Sequence, residues 1–185
     1  DLWGHYGIAR ELAALYHLPM KECPRFDRNV ANTAGFHVTV EDAERCPRMT
    51  GTQIENVCVK PAPYWMQVRI WKTGMRPINA LVDITNYVML ATGQPSHAYD
   101  SDHIAGHIIV RRAKAGETLT LLNGKELPLS TDDLTIADDA DIVGLAGVMG
   151  GAKDSILPTT NKVILEIANF QAAGIRRTAL RYDNR

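Results

Sequence analysis

His97 is the first residue whose type and position suggest chemistry. It lies in the stretch GQPSHAYD, directly after a segment that ends like a helix. Ser96, His97 and Asp100 have the residue types of a catalytic triad, but close neighbours on an extended turn diverge in space, whereas a triad must converge. The local sequence leaves two interpretations open: a functional pocket histidine, or a histidine hydrogen-bonded to backbone at a helix end.

Glu166 is the single charged residue in the apolar stretch VILEIANF. A carboxylate is almost never buried without a partner, so a buried Glu166 must meet a cation, a hydrogen-bond donor or a ligand. If the strand instead alternates over a one-sided sheet, Glu166 faces solvent. Both interpretations stay open at this point.

Four glycines crowd the segment GLAGVMGGAKD, after an apparent strand: Gly144, Gly147, Gly150 and Gly151. The spacing is not that of a GxGxxG loop and no GK[ST] follows, so a nucleotide-binding loop is poorly supported. Glycines without a Cβ let a ligand lie against the backbone, whose N–H groups can then bind a carbonyl or an oxyanion. The alternative is a tight turn between buried strands.

Two further groups of charged residues suit either a structural or a binding role. The acidic set lacks the ligand spacing and closing Glu of an EF-hand loop, so turn formation is favoured over calcium binding for Asp132, Asp133, Asp138, Asp139 and Asp141. The arginines of the last helical segment suit either phosphate contacts or a solvated helix face: Arg176, Arg177, Arg181 and Arg185.

Composition and charge restrict the class of protein. The 185 residues contain 45% hydrophobic and 22% charged residues, which is typical of a globular domain without a membrane span. The net charge of -1 gives no broad attraction for nucleic acid, so any such contact must be local. The start at Asp1, without Met or a basic leader, indicates a piece of a longer protein.

Cysteine usage indicates a reducing compartment. Cys23, Cys46 and Cys58 are odd in number, widely spaced and without a CxxC pair or histidines at zinc-ligand spacing. We therefore predict neither a disulfide framework nor a metal site.

The elements that must position these residues begin with helices. Asp1 is predicted to cap a first helix with one apolar stripe, formed by Ile8, Leu12, Leu15 and Tyr16. A second helix is expected after Pro61–Pro63, through YWMQVRIWKTG. NALVDITNYVMLATG is rich in β-branched residues, yet Asn79 as cap, Asp83 in the first turn and Gly93 at the end favour a helix. FQAAGIRRTALRY is predicted to be the last helix.

The remaining segments read mostly as strands. The predicted strands are FHVTV, TQIENVCVK with a bulge, HIIVRRA, TLTLL, KELPL, DLTIA, DIVGLAGVM and KVILEIA. Asn123-Gly124 is the strongest hairpin signal, and DDAD is predicted to be a turn. Together these elements predict an α+β fold.

An ordered series of motifs resembles one known family. RPINALVDITNYVMLATGQPSHAYD, VRRAKAGETLTLLNGKELPL, GLAGVMGGAKDSI and VILEIANFQAAGIRRTALR are similar to the editing domain of the bacterial phenylalanyl-tRNA synthetase beta subunit. GHYGIARELAALYHLP resembles the segment that precedes that domain. The resemblance covers nearly the whole chain and implies an α+β fold with a layered β-sandwich core and covering helices. It also implies an N-terminal helix and connecting loop over 1–34 and an editing domain over 35–185.

The resemblance implies roles for individual residues. The pocket histidine of the family corresponds to His97, and the pocket glycine of the family corresponds to Gly150, beside Gly151. The glutamate that recognises tyrosine in the family corresponds to Glu166. Asn86, in TNYV, corresponds to a residue near the ribose or the attacking water. The implied reaction is hydrolysis of tyrosine wrongly esterified to phenylalanine tRNA.

Physical reasoning agrees with such a division of labour. A synthetic site for phenylalanine rejects an added hydroxyl only weakly, whereas a second site can require that hydroxyl. Glu166 left unpaired beside phenylalanine would disfavour the correct product by about 1–3 kcal/mol. Ester hydrolysis itself needs little more than a positioned water and a stabilised oxyanion, so an obligatory base role for His97 does not follow.

The resemblance also implies partners and a location. They are the 3′ end of an aminoacylated tRNA and the alpha subunit of a heterotetramer in the cytoplasm, with no membrane and no cofactor in this domain; ATP and magnesium act elsewhere in the parent enzyme. The family continues after the last helix into a threonine- and alanine-containing pocket wall, so we expect a piece ending at Arg185 to edit poorly by itself. The competing hypotheses are a non-catalytic module that binds RNA or a subunit, and a free-standing editing protein acting in trans.

Overall fold

The computed structural model describes residues 2–23, 36–153 and 155–183. These described residues form two compact units, one made of 2–23 with 60–96 and the other of 36–59 with 97–183. The first unit thus takes in the segment Lys60–Ser96, which the sequence placed with the 35–185 domain. Of the helices in the described residues, none has the length and apolar character needed to cross a bilayer.

The first unit is helical. Its elements are α1 (His5–Tyr16), α2 (Tyr64–Lys72) and α3 (Ala80–Thr92). Its core consists of Ala62, Met66 and Ile70, with Met75, Ala80 and Tyr87 packed against them. The second and third helices therefore lie where the sequence predicted them.

α1 packs through small residues instead of its apolar stripe. Gly4 is the N-cap, and a Cβ on Gly4 would lie 2.5 Å from the backbone nitrogen of Gly93. The predicted stripe is exposed in this unit: Ile8 45%, Leu12 48%, Leu15 69% and Tyr16 64%. The apolar stripe is therefore not buried within this unit, where the close backbone approach at Gly4 makes the contact. The predicted cap, Asp1, lies outside the described residues.

α3 is held by its two caps. The Asn79 side chain accepts hydrogen bonds from the backbone N–H groups of Leu81 and Val82, both at 3.1 Å. Gly93 ends the helix with φ 79° in the left-handed region, which costs glycine little. These caps prevail over the β-branched residues inside the segment, as the sequence indicated.

The second unit contains ten strands, one α-helix and the short 3-10 helix Ser101–His103 among its described residues. The strands are β1 (Val38–Val40), β2 (Arg48–Glu55), β3 (His97–Asp100), β4 (Ile108–Arg112), β5 (Thr118–Thr120), β6 (Glu126–Pro128), β7 (Leu134–Ala137), β8 (Ile142–Leu145), β9 (Met149–Gly150) and β10 (Lys162–Asn169). The helix is α4 (Ala172–Arg181). The α+β class is therefore confirmed.

Three sheets organise these strands. One has the order β1-β4-β7-β8-β9, the second β2-β10-β3, and the third is the β5-β6 hairpin. The hairpin pairs Thr120 with Glu126 around Gly124, as predicted from Asn123-Gly124. β10 pairs antiparallel with β2 on one side and β3 on the other. β10 is therefore the central strand of its sheet.

Three strand predictions need correction. β2 begins at Arg48 and ends at Glu55, so Val57 and Val59 of the predicted TQIENVCVK strand lie outside it. DIVGLAGVM forms β8 and β9, because Gly147 turns the chain with φ 65°. β3 was not predicted, since HAYD was interpreted as an extended turn.

The main core draws residues from both larger sheets. Its buried members are Cys46, Tyr99, Ile108, Val110, Leu134, Ile136, Val143, Ala146 and Ile164. A second cluster forms beneath the β5-β6 hairpin and includes Leu121, Leu127 and Tyr182. Burial of this apolar surface is the main favourable contribution to folding of the unit.

A buried carboxylate ties α4 to this unit. Asp133 is fully buried and accepts hydrogen bonds from Thr178 Oγ1 at 2.9 Å, Arg181 Nη1 at 2.5 Å and the Tyr182 hydroxyl at 2.5 Å. Arg181 is therefore paired within the fold. Asp138, another member of the acidic set, accepts from backbone N–H groups of the DDAD turn, including that of Asp141 at 2.7 Å.

Candidate functional site

His97, Tyr99 and Glu166 lie on one face of the three-stranded sheet. His97 is the direct cross-strand partner of Glu166, and Tyr99 is the partner of Ile164. Residues two apart on a strand share a face, and directly opposed residues point to the same side. Strand geometry therefore places the three functional side chains together on the face where Tyr99 and Ile164 enter the main core.

The Tyr99 hydroxyl donates a short hydrogen bond to Oε2 of Glu166. Both residues are buried, with 1% of Tyr99 and 7% of Glu166 exposed. The alternative in which Glu166 faces solvent is therefore wrong, because its side of β10 is covered by the core. The hydrogen bond offsets part of the cost of taking a carboxylate out of water.

Burial sets the protonation of Glu166. Desolvation raises the pKa of this carboxyl from 4.5 to about 7, and the hydrogen bond from Tyr99 acts in the opposite direction. The group consequently changes charge near neutral pH, whereas an exposed glutamate is ionised there.

His97 packs against an aromatic edge and a glycine. Its ring centroid lies 4.5 Å from that of Tyr99, with the ring planes at 75°. An ideal Cβ on Gly150 would lie 2.7 Å from both Cε1 and Nε2 of the imidazole. Burial lowers the pKa of His97 from 6.5 to about 4, so the ring is neutral at pH 7. The structure thus places His97 in a half-buried position on a strand instead of at a helix end.

The glycine segment supplies the opposite wall of this group. Gly150 on β9 pairs with Gly144 on β8, so two positions without side chains lie side by side. The backbone N–H of Gly151 donates to the Val143 carbonyl oxygen at 2.8 Å. That donor is therefore used within the fold, and Gly150 is the glycine that contacts His97.

His97 and Asp100, two of the three residues with catalytic-triad chemistry, do not point toward each other. Asp100 accepts a hydrogen bond from Thr160 Oγ1 at 2.5 Å and another from the Asp102 backbone N–H at 3.1 Å. It is an odd number of residues along β3 from His97 and so lies on the opposite face of the strand. Asp100 is consequently a structural residue in this arrangement.

Asn86 lies on α3 in the first unit and is half-buried. His97, Gly150, Gly151 and Glu166 all belong to the second unit. The structure thus brings His97, Gly150 and Glu166 together, while the predicted role of Asn86 stays a prediction.

Tyr99 was the functional candidate that sequence reasoning missed. The signal was present, because a strand assignment of HAYD would have placed Tyr99 on the same face as His97 by the two-residue alternation. The four-residue length of β3 and its position after a proline turn concealed that alternation.

The fold and this site together define an α+β domain that holds a neutral histidine and a buried glutamate beside a glycine wall. The profile of the B3/4 domain family matches residues 45–185. The chain belongs to the B3/4 domain family.

Relatives with the same domain carry a consistent name. The phenylalanine–tRNA ligase beta subunit of Solibacter usitatus (strain Ellin6076) is 45% identical over 180 residues, covering 97% of this chain and 23% of that subunit. The corresponding subunit of Latilactobacillus sakei subsp. sakei (strain 23K) is 40% identical over 190 residues, covering 100% and 24%. This chain therefore spans about a quarter of the length of these curated relatives.

A solved structure supports the fold. An N-terminal fragment of the phenylalanyl-tRNA synthetase beta subunit from Pyrococcus horikoshii superposes with a TM-score of 0.53. The two sequences are 15% identical, and the match covers 98% of this chain and 57% of that one. The similarity at this identity concerns the fold alone.

Proposed function

We propose that this chain is the tRNA-editing domain of a phenylalanine–tRNA ligase beta subunit and hydrolyses the ester of tyrosine mischarged onto phenylalanine tRNA. The observation that carries the proposal is the convergence of His97, Glu166 and Gly150 in one partly enclosed place. The B3/4 family match and the names of the relatives support it. The proposal includes a layered β-sandwich of editing-domain type for the second unit.

Glu166 is proposed to select tyrosine. A buried carboxylate can accept a phenol hydrogen bond, as Glu166 does from Tyr99. A phenylalanyl ester offers no such donor. Because a hydrogen bond to a charged group contributes about 1.5–3 kcal/mol, tyrosine would be preferred by roughly tenfold to a hundredfold.

The chemical step is ester hydrolysis by water. The water oxygen attacks the carbonyl carbon, the bond from that carbon to the ribose oxygen breaks, and the ribose oxygen takes up a proton while tyrosine leaves as its carboxylate. A His97 with a pKa of about 4 is a weak general base at pH 7. His97 is therefore proposed to orient the water or the ribose through a neutral ring nitrogen. For Asn86, a role near the ribose or the attacking water is proposed from the family resemblance alone.

The wider setting is proposed from the relatives. The substrate would be the 3′ end of a charged tRNA, the partner an alpha subunit, and the location the cytoplasm. ATP and magnesium would act elsewhere in the ligase, and Gly151 would support Gly150 through its bond to Val143.

Deacylation assays test this function directly. Tyr-tRNA and Phe-tRNA carrying the phenylalanine anticodon are incubated with the full-length protein that contains this chain, and with its Glu166→Ala and Asp132→Ala variants. We expect the intact protein to hydrolyse Tyr-tRNA faster, Glu166→Ala to lose that preference, and the exposed Asp132→Ala control to retain it. Equal rates for the intact protein and Glu166→Ala on Tyr-tRNA would contradict the proposal.

One observation favours a binding module as the second candidate. On α2 the Trp65 side chain is 49% exposed, and the Arg69 guanidinium, four residues later on the same helix face, lies 5.1 Å from its ring centroid. Aromatic and cationic side chains on one surface can stack on unpaired bases. Measurable tRNA binding without any ester hydrolysis, both in the full-length protein, would support this candidate over the first.

A further inference from the structure

We infer that Tyr99 is a positioning residue that holds Glu166 by Oε2 and leaves Oε1 as the acceptor for the phenol of a tyrosyl ester. The inference rests on the proposed function and adds a specificity-determining residue to it. Tyr99 would act through Glu166 and would not itself contact the reacting ester.

The geometry of the carboxylate supports this division. An ionised carboxylate has two oxygens with about four lone-pair sites, so one phenol does not exhaust its capacity. The Tyr99 hydroxyl is bonded to Oε2. Among the described residues, the fully buried side-chain oxygen without a hydrogen-bond partner is Asp83 Oδ2, on α3 of the other unit. Glu166 Oε1 is therefore not both fully buried and unpaired. Among the described residues, the side chain that donates to Glu166 is Tyr99, and it does so to Oε2. Oε1 remains open to an incoming donor.

Tyr99 is itself fixed in position. Its ring is packed in the main core and meets the edge of His97. A phenol whose ring is packed by the core and by His97 fixes the carboxylate that it binds, since the donor cannot follow a displaced acceptor.

This arrangement changes how tyrosine is distinguished from phenylalanine. With a phenylalanyl ester in place, Glu166 keeps the Tyr99 hydrogen bond, so only Oε1 lacks a donor. Discrimination then depends on how well Oε1 is aimed and on whether the carboxyl is ionised. Tyr99 contributes to both, because its hydrogen bond orients the group and lowers its pKa.

The groups that surround Glu166 permit a clear pH measurement. The titratable neighbours in the described part of the chain are Tyr99 and His97 on β3 and Cys46, whose thiol pKa is raised mainly by burial and to a smaller extent by the charge of Glu166. On the other side of β10 the cross-strand partner is Gly51, and β8 and β9 contribute Gly144 and Gly150. His97 titrates near pH 4 and Cys46 above its usual range, so a transition between pH 6 and 8 belongs to Glu166.

The test uses Tyr99→Phe in the full-length protein, with Tyr182→Phe as the matched control. Tyr182 is also a buried phenol bonded to a carboxylate, Asp133, so its variant loses the same kind of hydrogen bond at a structural position. Deacylation of Tyr-tRNA and Phe-tRNA is followed from pH 5.5 to 8.5. We expect Tyr99→Phe to reduce the Tyr over Phe ratio of kcat/KM by about 3- to 10-fold, the worth of one neutral hydrogen bond. The pH midpoint of that ratio should rise, while Tyr182→Phe leaves both unchanged.

Each outcome separates this inference from the proposed function. If Glu166→Ala abolishes the tyrosine preference while Tyr99→Phe keeps the wild-type ratio and midpoint, the inference is overturned and the proposed function stands. If Glu166→Ala has no effect, the proposed function fails first. Should Tyr99→Phe reduce the yield of folded protein, 3-fluorotyrosine at position 99 keeps the ring and donates more strongly. It should lower the midpoint, and an unchanged midpoint would overturn the inference.

Discussion

Gly150 lies against the imidazole of His97 so closely that an added Cβ would come within 2.7 Å of two ring atoms. The contact is with the far end of the half-buried imidazole ring, so an added side chain would require that ring to move. The position of the candidate histidine therefore depends on the absence of a side chain on β9.

Substituting Gly150 with alanine should displace His97 and slow hydrolysis. The ring must shift or the β8-β9 pairing must open, and misplacing a group by about 1 Å can cost roughly a hundredfold in rate. Single-turnover deacylation of Tyr-tRNA measures the effect. Gly144→Ala is the matched control, since its Cβ would meet nothing closer than 3.6 Å and most of the rate should remain. Equal rates for the two variants would show that the His97 contact is irrelevant to the reaction.

His97 should not produce a rate limb near neutral pH. With its pKa lowered to about 4, the ring stays neutral from pH 5.5 upward. We expect His97→Gln, which retains a donor and an acceptor, to keep more activity than His97→Ala, and the pH profile of kcat for Phe-tRNA to be flat between pH 5.5 and 7.5. An ascending limb with a midpoint between 6 and 7 that disappears in both His97 variants would instead identify a general base.

The pH dependence of stability should reveal two opposing groups. For Glu166 the folded-state pKa of about 7 exceeds 4.5, so its contribution is complete below pH 4.5 and is lost as the pH rises through 7. For His97 the folded-state pKa of about 4 is below 6.5, so its contribution is complete above pH 6.5 and is lost as the pH falls through 4. Between pH 4.5 and 6.5 the two contributions change in opposite directions and nearly cancel.

Single substitutions should therefore expose each contribution. Over that interval we expect the free energy of unfolding of Glu166→Gln to rise with pH and that of His97→Asn to fall, each by at most about 1.4 kcal/mol per pH unit relative to the wild type. Urea unfolding at half-unit pH steps measures these slopes. The double variant should return to the wild-type slope, and parallel curves for all four proteins would disprove the opposed linkage.

Replacing Asp133 with alanine should loosen α4. The substitution removes the acceptor of Thr178 and the ionic partner of Arg181, and it leaves the Tyr182 hydroxyl only the Pro128 carbonyl at 3.0 Å. These losses in a buried place cost on the order of 3 kcal/mol. Chemical denaturation gives the total cost, and hydrogen exchange of the α4 amides shows where it falls. Asp132→Ala removes only an exposed carboxylate 3.8 Å from Arg45 and should cost less than about 1 kcal/mol.

Local signals predicted the helices and the hairpin well. Asn79 and Gly93 bound α3 despite its β-branched interior, and Asn123-Gly124 marks the β5-β6 turn, because caps and turns depend on residues close in sequence. The exposed stripe of α1 could not be recognised this way. Periodicity shows that a face is apolar, but which surface covers it depends on distant parts of the chain.

The candidate site was only partly accessible to sequence reasoning. The resemblance singled out His97, Gly150 and Glu166, and the structure brings these three together. Whether Glu166 faced solvent or core depended on the packing of one sheet on another, which no short stretch encodes. The hydrogen bond between Tyr99 and Glu166 joins positions 67 residues apart in the sequence. Predicting it would have required knowledge of how β3 is aligned with β10.

The glycine wall also limits how the pocket can change. Any other amino acid at position 150 adds at least a Cβ atom, which would lie 2.7 Å from the imidazole of His97. No small substitution at this position avoids that clash. At position 99, by contrast, a tyrosine and a phenylalanine differ by one oxygen atom. Variation in what the pocket accepts would therefore be found along β3, while β9 stays the same.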